Sequence, residues 1–455
     1  MNRRGPGATF TSLRYRGYRL WFAGALVSNV GTWMQRVAQD WLVLKVLTHN
    51  SGVAAGVTTA LQFAPMLVLT PLAGVIADRV DRRRMLMVTQ GSIGVLAGLL
   101  GALVLSGRVQ LWQVYVAAFG LGVVTAFDGP VRQTFVAALV PADHLANAVS
   151  LNSASFNAAR LVGPAVAGLT IVGVGIGWAF VANAVSMLAT ISALTLMRPG
   201  DLRPIPSAPR HRGQLREGLA YVRSRSDIVA IMVVVGVVST FGLNFQLTSA
   251  MMAGVEFDKG PGEFGIVGSV LAVGSLFGAL LAARREHPRV RLVLVAAFGF
   301  GVATGVQALM PTYLAYTLAG IPVGLASLTM LTSANSAIQT STPPQVRGRV
   351  MGLYMMVLQG TNPIGAPLVG WIGQHYGARW SIGIGTVTAL VVSVAVAAWA
   401  RRAWGVQVSL RWHQRPHLLI TRSETGREST DVAVSPDTRP SAADPPHRTE
   451  TPAPV

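Results

Sequence analysis

No cysteine occurs in the 455 residues. A disulfide framework, a thiolate metal cluster and a thiol nucleophile are therefore excluded. Charge is scarce too: 12% of residues are Asp, Glu, Lys or Arg, about half of the roughly 25% typical of soluble domains. A soluble fold of this make-up would lack the polar surface to cover itself. Lysine is almost missing, with only Lys45 and Lys259 present, so arginine supplies nearly all the positive charge. No GxxxxGK[ST] loop appears, which argues against ATP as an energy source within this chain, and no His-Glu-x-x-His or comparable metal spacing is seen. No cofactor is expected. The first 19 residues hold five arginines and lead into a long apolar run without a small-residue cleavage site, so no removable signal is expected.

Long apolar runs dominate instead, with 51% hydrophobic residues. A helix needs about 20 apolar residues to cross roughly 30 Å of hydrocarbon. Twelve such spans are expected, at 20–46, 53–77, 85–106, 111–139, 146–172, 177–197, 228–253, 264–283, 290–310, 312–339, 349–374 and 379–401. The formal charge of +19 could suggest nucleic acid, but the arginines sit mainly in short joins beside apolar spans. That is the pattern of a polytopic membrane protein, with no nucleic-acid partner. The N-terminal segment and the joins after spans 2, 6, 8 and 10 are basic; the alternate joins hold few cations. Cytoplasmic loops carry the Lys/Arg excess, so both termini are expected in the cytoplasm.

The organising stretch is Gly74 to Met85, GVIADRVDRRRM, between two apolar runs. A second signal is an internal repeat. VGPAVAG at 162–168 aligns with IGAPLVG at 364–370, an offset of 202 residues, and Pro141 then falls on Pro343. A Pro-rich join from Arg198 separates the two copies. The expected organisation is a cytoplasmic segment 1–19, a six-helix bundle 20–197, a linker 198–227, a second six-helix bundle 228–402 and a disordered cytoplasmic tail 403–455. The tail is rich in Pro, Ser, Thr, Arg and Asp, a composition that cannot bury a core.

These stretches resemble the major facilitator superfamily, and within it the bacterial enterobactin-exporter-like and drug efflux permeases. The resemblance is carried by GTWMQRVAQDWLVL in span 1, GVIADRVDRRRML after span 2, AFDGPVRQTFVAALVP in span 4 and NSASFNAARLVGPAVAG in span 5, and extends from about Phe10 to Arg402. It implies an all-α polytopic fold of twelve transmembrane helices in two pseudo-symmetric bundles, with parallel repeats about the membrane normal. Gly74, Asp78, Arg79, Arg83 and Arg84 match the superfamily loop motif, with Asp81 in place of its usual glycine. Gly163, Pro164 and Gly168 match part of the span 5 antiporter motif, which ends in Leu169 rather than glycine. The span 4 arginine motif of many drug antiporters is not recognisable, since Arg132-Gln133 lies too near the end of the span.

Ionisable groups inside a membrane cost about 2.5–3.5 kcal/mol each on insertion scales and mark function by default. Arg36 and Asp40 lie four residues apart, on one face of span 1. Asp40 is read as the proton carrier and Arg36 as its tuner and a contact for an anionic substrate group; the alternative is a permanent ion pair that pins span 1 to a neighbour. Asp128, with Arg132 beside it, is expected to pair with an arginine of the 78–84 loop as a charge latch that a proton would loosen. Arg160 could hold a substrate carboxylate or phosphate, or pair with Asp40 or Asp128. Asn29, Gln35, Gln39 and Asn157 in the first half, and Asn244, Gln246, Asn335 and Gln359 in the second, are candidates for substrate contact. Gly163, Pro164 and Gly168 let helices approach closely and belong with gating.

The expected function is proton-coupled export, across the inner (plasma) membrane, of small amphipathic organic molecules such as drugs, siderophores or secondary metabolites. The partners are substrate, protons and lipid, and the resemblance implies a monomer. No nucleophile–base set is visible, so no enzyme is expected. The alternatives are a symporter or facilitator that imports a nutrient, and a non-transporting receptor or scaffold.

Overall fold

Helix follows helix along the chain because apolar runs of this length can satisfy their backbone polar groups in lipid only within the segment. The computed structural model describes residues 10–77, 80–203, 214–283, 290–404, 406–410 and 418–422. The first half contains α1 (Arg16–Trp41), α2 (Gly52–Ala77), α3 (Arg82–Leu105), α4 (Leu111–Leu139), α5 (Ala142–Val174) and α6 (Ile176–Leu196). A short amphipathic helix, α7 (Gln214–Ser224), precedes the second half. That half contains α8 (Ser226–Phe241), α9 (Phe245–Met251), α10 (Pro261–Ala283), α11 (Val290–Ala308), α12 (Tyr313–Ser341), α13 (Pro344–Gly360), α14 (Asn362–Tyr376) and α15 (Ala378–Trp404).

Among the described residues, ten spans are long and apolar enough to cross a membrane by length and composition. Expected spans 1 and 11 are missing from that set for physical reasons. Helix α1 carries Arg16, Arg19, Arg36 and Asp40 among its 26 residues. Span 11 is interrupted at Thr361, which leaves α13 and α14 with 17 and 15 residues. With α1 and the α13–α14 pair, the twelve spans of two six-helix bundles are filled. Val88, Leu99, Val116, Leu169 and Val295 are exposed around the bundle, as lipid contact requires.

The internal repeat reappears as geometry. Pro141 and Pro343 take the same N-cap place before α5 and α13, both with extended ψ. Gly175, between α5 and α6, and Gly377, between α14 and α15, have φ of +102° and +100°. Both pairs are separated by the same 202 residues. A side chain at such a φ would be strained, so both turns need glycine. The first span of each half also ends in a π-helical turn, Leu42–Leu47 and Met252–Glu256.

Ends of helices that lie near the chain's start are called proximal here, and the opposite ends distal. The described contacts between halves run from the distal ends to mid-span, along two seams, α2 on α14 and α5 on α10. Backbone meets backbone there: a Cβ on Gly52 would lie 2.5 Å from the carbonyl oxygen of Gly370, and one on Gly168 2.9 Å from Gly262 Cα. Pro164 packs against Gly265 and Gly268. Hydrogen bonds add to the seams. Ser51 Oγ and Val53 N donate to Gln374 Oε1 at 3.0 and 3.2 Å, Lys45 Nζ donates to Gly254 O at 2.8 Å, and Ser269 Oγ donates to Leu161 O at 2.8 Å. A core of Trp41, Leu42, Met251, Phe264, Ala366 and Val369 straddles the halves at this end. Separate cores lie within each half, around Trp21 and Phe135 in the first and around Phe300 and Tyr354 in the second.

The stretch expected to be disordered after residue 402 contains, among its described residues, an antiparallel pair of strands, β1 (Val406–Leu410) and β2 (Leu418–Arg422). The alternation in VQVSL supplies the period of two that a strand uses; the compositional reading of the whole tail averaged it away.

Candidate functional site

The site is assembled on α1, α5, α9 and α10, where the α5–α10 seam stops. Gly163 of α5 brings that helix onto α1: a Cβ there would lie 2.5 Å from Trp33 Cβ. Trp33 is thereby held at mid-span, with Phe156 edge-on at 5.7 Å between ring centroids. Two guanidinium groups share its indole. Arg36 lies 5.0 Å and Arg160 5.7 Å from the ring centroid. Cation–π contact of this kind contributes about 0.5–2 kcal/mol. A cavity opens beside them, lined by Trp33, Val37, Arg160, Phe245, Gln246 and Phe264 among others. Phe264 also stacks on Trp41 at 5.8 Å, which walls the distal side.

Arg36 and Asp40 occupy one face of α1 and, among the described residues, form no ion pair within 4 Å with each other or with a neighbouring helix. Arg36 turns to Trp33 instead, and its Nε is buried without a hydrogen-bond partner. Asp40 is 8% exposed. Arg160 pairs with neither Asp40 nor Asp128; its guanidinium is taken by the indole. Gln246 Nε2 also lies buried with no partner among the described residues.

A second polar cluster lies nearer the proximal end. Asp128 accepts from Thr89 Oγ1 and Gln90 Nε2 of α3, both at 2.8 Å, and from Arg132 Nε at 3.0 Å. Arg132 in turn donates to Asn29 Oδ1 at 3.3 Å and lies 5.4 Å from the Trp21 ring. The expected latch to the loop is thus replaced, among the described residues, by a pair on Asp128's own helix braced by α3. Asp78 and Arg79 lie outside the described residues. Arg83 caps the carbonyl of Thr195 at 3.1 Å, and Arg84 N is held by the Asp81 carboxylate at 3.0 Å, as the N-cap of α3. Gly74 lies in the last turns of α2. Removing one partner of a buried charged network leaves the others unsatisfied, at about 3–5 kcal/mol. Asp128→Ala is expected to lower the thermal unfolding midpoint of the purified protein markedly; an unchanged midpoint would show that the cluster does not brace α3 on α4.

The other candidates scatter. Gln35 is buried and hydrogen-bonds Asn183 of α6. Gln39 is buried at 3% exposure. Asn157 Nδ2 donates to Ser153 O, and Asn244 Nδ2 to Thr240 O, each four residues back on its own chain. Asn335 accepts from Gln339 at 2.7 Å. Gln359 is half-buried near the end of α13. Of the amides, only Gln246 lines the cavity beside Arg160. Pro164 and Gly168 lie in the seam, whereas Gly163 faces Trp33 of its own half. Sequence reasoning missed Trp33. Its signal was a tryptophan in mid-span, three residues before Arg36 and so on the same helix face.

Residues 7–427 match the family of major facilitator proteins described as transmembrane secretion effectors. The chain belongs to this family. Its fold is also that of a solved transporter, a bacterial homolog of the human lysosomal transporter Spinster, in an inward-facing and occupied conformation. That match has a TM-score of 0.67 and 15% identity, over 85% of this chain and 97% of that one. Among characterised relatives, the multidrug efflux pump Tap of Mycolicibacterium fortuitum is 28% identical over 78% of this chain and 88% of its own length. The enterobactin exporter EntS of Salmonella paratyphi A is 23% identical over 78% of this chain and 85% of its own. A transmembrane secretion effector of this superfamily is a transporter and not an enzyme. Transporters of this superfamily carry their substrate sites near the bilayer midplane, between the two halves.

Proposed function

We propose that the protein is a proton-coupled exporter of small amphipathic organic molecules. It works by alternating access across the inner membrane, with both termini in the cytoplasm. The carrying observation is Arg36 and Asp40 on one face of α1, unpaired with each other, beside a cavity between the halves. Similarity to an efflux pump and a siderophore exporter supports the outward direction. Arginines at the proximal helix ends, Arg82, Arg83, Arg84, Arg347 and Arg349, support a cytoplasmic place for that face. The distal seams then close the outer side, and this conformation faces inward. When the halves rock, the seams part and Asp40 meets water from outside. A carboxyl group buried without an ion-pair partner gains by carrying a proton and can release it where water enters. Substrate and proton would occupy neighbouring turns of α1, separated by about 6 Å of helix rise.

Inside-out vesicles, acidified within and loaded with a pH-sensitive dye, test this. A panel of lipophilic cations, weak acids and siderophore-like compounds is added outside. At least one compound is expected to trigger proton efflux that vesicles without the protein do not show. Gradient-driven accumulation of the same compounds in right-side-out vesicles would overturn export and establish import.

A further inference from the structure

We infer that the cavity beside Trp33 recognises an anionic group, a carboxylate, on an otherwise apolar substrate. The inference deepens the transporter reading by naming the substrate's chemical class, and it rests on that reading only for the cavity's being the passage.

Charge balance is the first argument. Among the described residues inside the spans of the first half, Asp128 is matched by Arg132. That leaves Arg36 and Arg160 against Asp40 alone. Among the described residues no acid of the second half lines the cavity: Asp227 is tied to Arg225 at 2.7 Å, Glu256 to Arg379 at 2.7 Å, and the Glu263 carboxylate lies back toward Gly260 at the distal end of α10. Arg160 lines the cavity, and Arg36 and Asp40 lie behind Trp33, so the neighbourhood holds one cation in excess even with Asp40 ionised. Burying an unbalanced charge is costly, and an anionic ligand removes that cost.

The donors present are the second argument. Arg36 Nε and Gln246 Nε2 are buried N–H groups without acceptors. Neither has a hydrogen-bond acceptor among the described residues. Indole contact stabilises the two guanidinium groups but accepts none of their in-plane hydrogen bonds, which remain directed for an oxyanion. Guanidinium and amide N–H groups have the geometry to grip a carboxylate. A lipophilic cation would meet repulsion and would find no acceptor. The remaining wall explains the rest of the ligand. Phe245, Phe264, Val37 and Leu271 supply apolar and aromatic contact for a ring or chain.

The test is equilibrium binding to the full chain in phosphatidylcholine nanodiscs, by calorimetry, with two probes of one shape: 2-naphthylacetate and 2-naphthylacetamide. No gradient is needed, so the result is independent of transport. Wild type is expected to bind the carboxylate about tenfold or more tighter than the amide, as a charge-assisted hydrogen bond allows. Arg36→Gln and Arg160→Gln should each bring the carboxylate-to-amide affinity ratio to within about twofold of one, and a thermal unfolding midpoint close to that of wild type shows that the variants are folded. Arg160→Lys should retain part of it. Phosphatidylglycerol added to the discs should not compete. The inference is overturned by equal affinity for both probes (binding by neither included) or by a preference that survives both Gln substitutions. Displacement of the carboxylate by phosphatidylglycerol would also overturn it, since the occupant would then be a lipid headgroup. A carboxylate preference without compound-triggered proton efflux would uphold this inference and sink the exporter reading. Efflux triggered only by cations would do the reverse.

Discussion

Asp40→Asn is expected to reduce compound-triggered proton efflux to the level of empty vesicles. Asparagine keeps the size and polarity of the side chain and loses only its capacity to carry a proton. The position suits a clean experiment. Asp40 is 8% exposed and forms no ion pair within 4 Å, so the substitution strands no cation in a bond already made. Most single changes that break no such contact cost no more than about 1 kcal/mol, so the variant should unfold at nearly the wild-type temperature. Removing a negative charge one turn from Arg36 also raises the positive excess of the cavity. Carboxylate binding should therefore be retained or strengthened. Binding preserved and efflux lost separates a coupling residue from a structural one. Efflux within about twofold of wild type, a difference under about 0.5 kcal/mol, would remove Asp40 from the coupling mechanism.

Gly370→Ala is expected to have the second large effect, on the conformational equilibrium. A Cβ on Gly370 would run into the carbonyl of Gly52 across the α2–α14 seam, and one on Gly52 would meet the carbonyl of Gly370 in return. Backbone cannot move aside as a flexible side chain can. The distal seam must then open or its helices must separate, at the 1–3 kcal/mol typical of overpacking. That energy shifts a two-state equilibrium by about 5–150-fold. The chain has no cysteine, so one introduced thiol reports alone. Val267, 1% exposed in the core that straddles the halves, is a suitable place. Val267→Cys should react slowly with a maleimide in the otherwise wild-type chain and about tenfold faster when Gly370→Ala is added. Transport should fall with it, because alternating access needs both closures. Unchanged labelling together with normal transport would show that the seam is not a gate.

How much of this was legible beforehand depends on where the partner of each residue lies. Features within one helix or one repeat could be read from spacing. The Arg36–Asp40 face, the 202-residue repeat and the paired caps at Pro141 and Pro343 are of that kind. Features that need a second helix could not. Asp128 was expected to reach the loop after α2. Thr89 and Gln90 of α3 take it instead, and nothing in their spacing announces that they face α4. Trp33 was invisible as a hub because its neighbours, Arg160 and Gly163, come from α5. Individual amides were equally opaque: Asn157 and Asn244 turn back on their own helices, while Gln246, similar in sequence terms, is left unpartnered in the cavity. Span 1 was legible despite its charge: the polar residues proposed to carry function lower the hydropathy of α1 below that of its neighbours without breaking its apolar run.

The seams and the cavity are made of different material. The seams are built largely from main chain, glycine against carbonyl, with few side chains that could be exchanged. The cavity is built from side chains: Trp33, Arg160, Gln246 and two phenylalanines, with Arg36 behind the indole. Divergence can therefore rewrite one without disturbing the other. A descendant that swaps Arg160 or Gln246 inherits an intact hinge and meets selection with a new cargo on a machine that already moves.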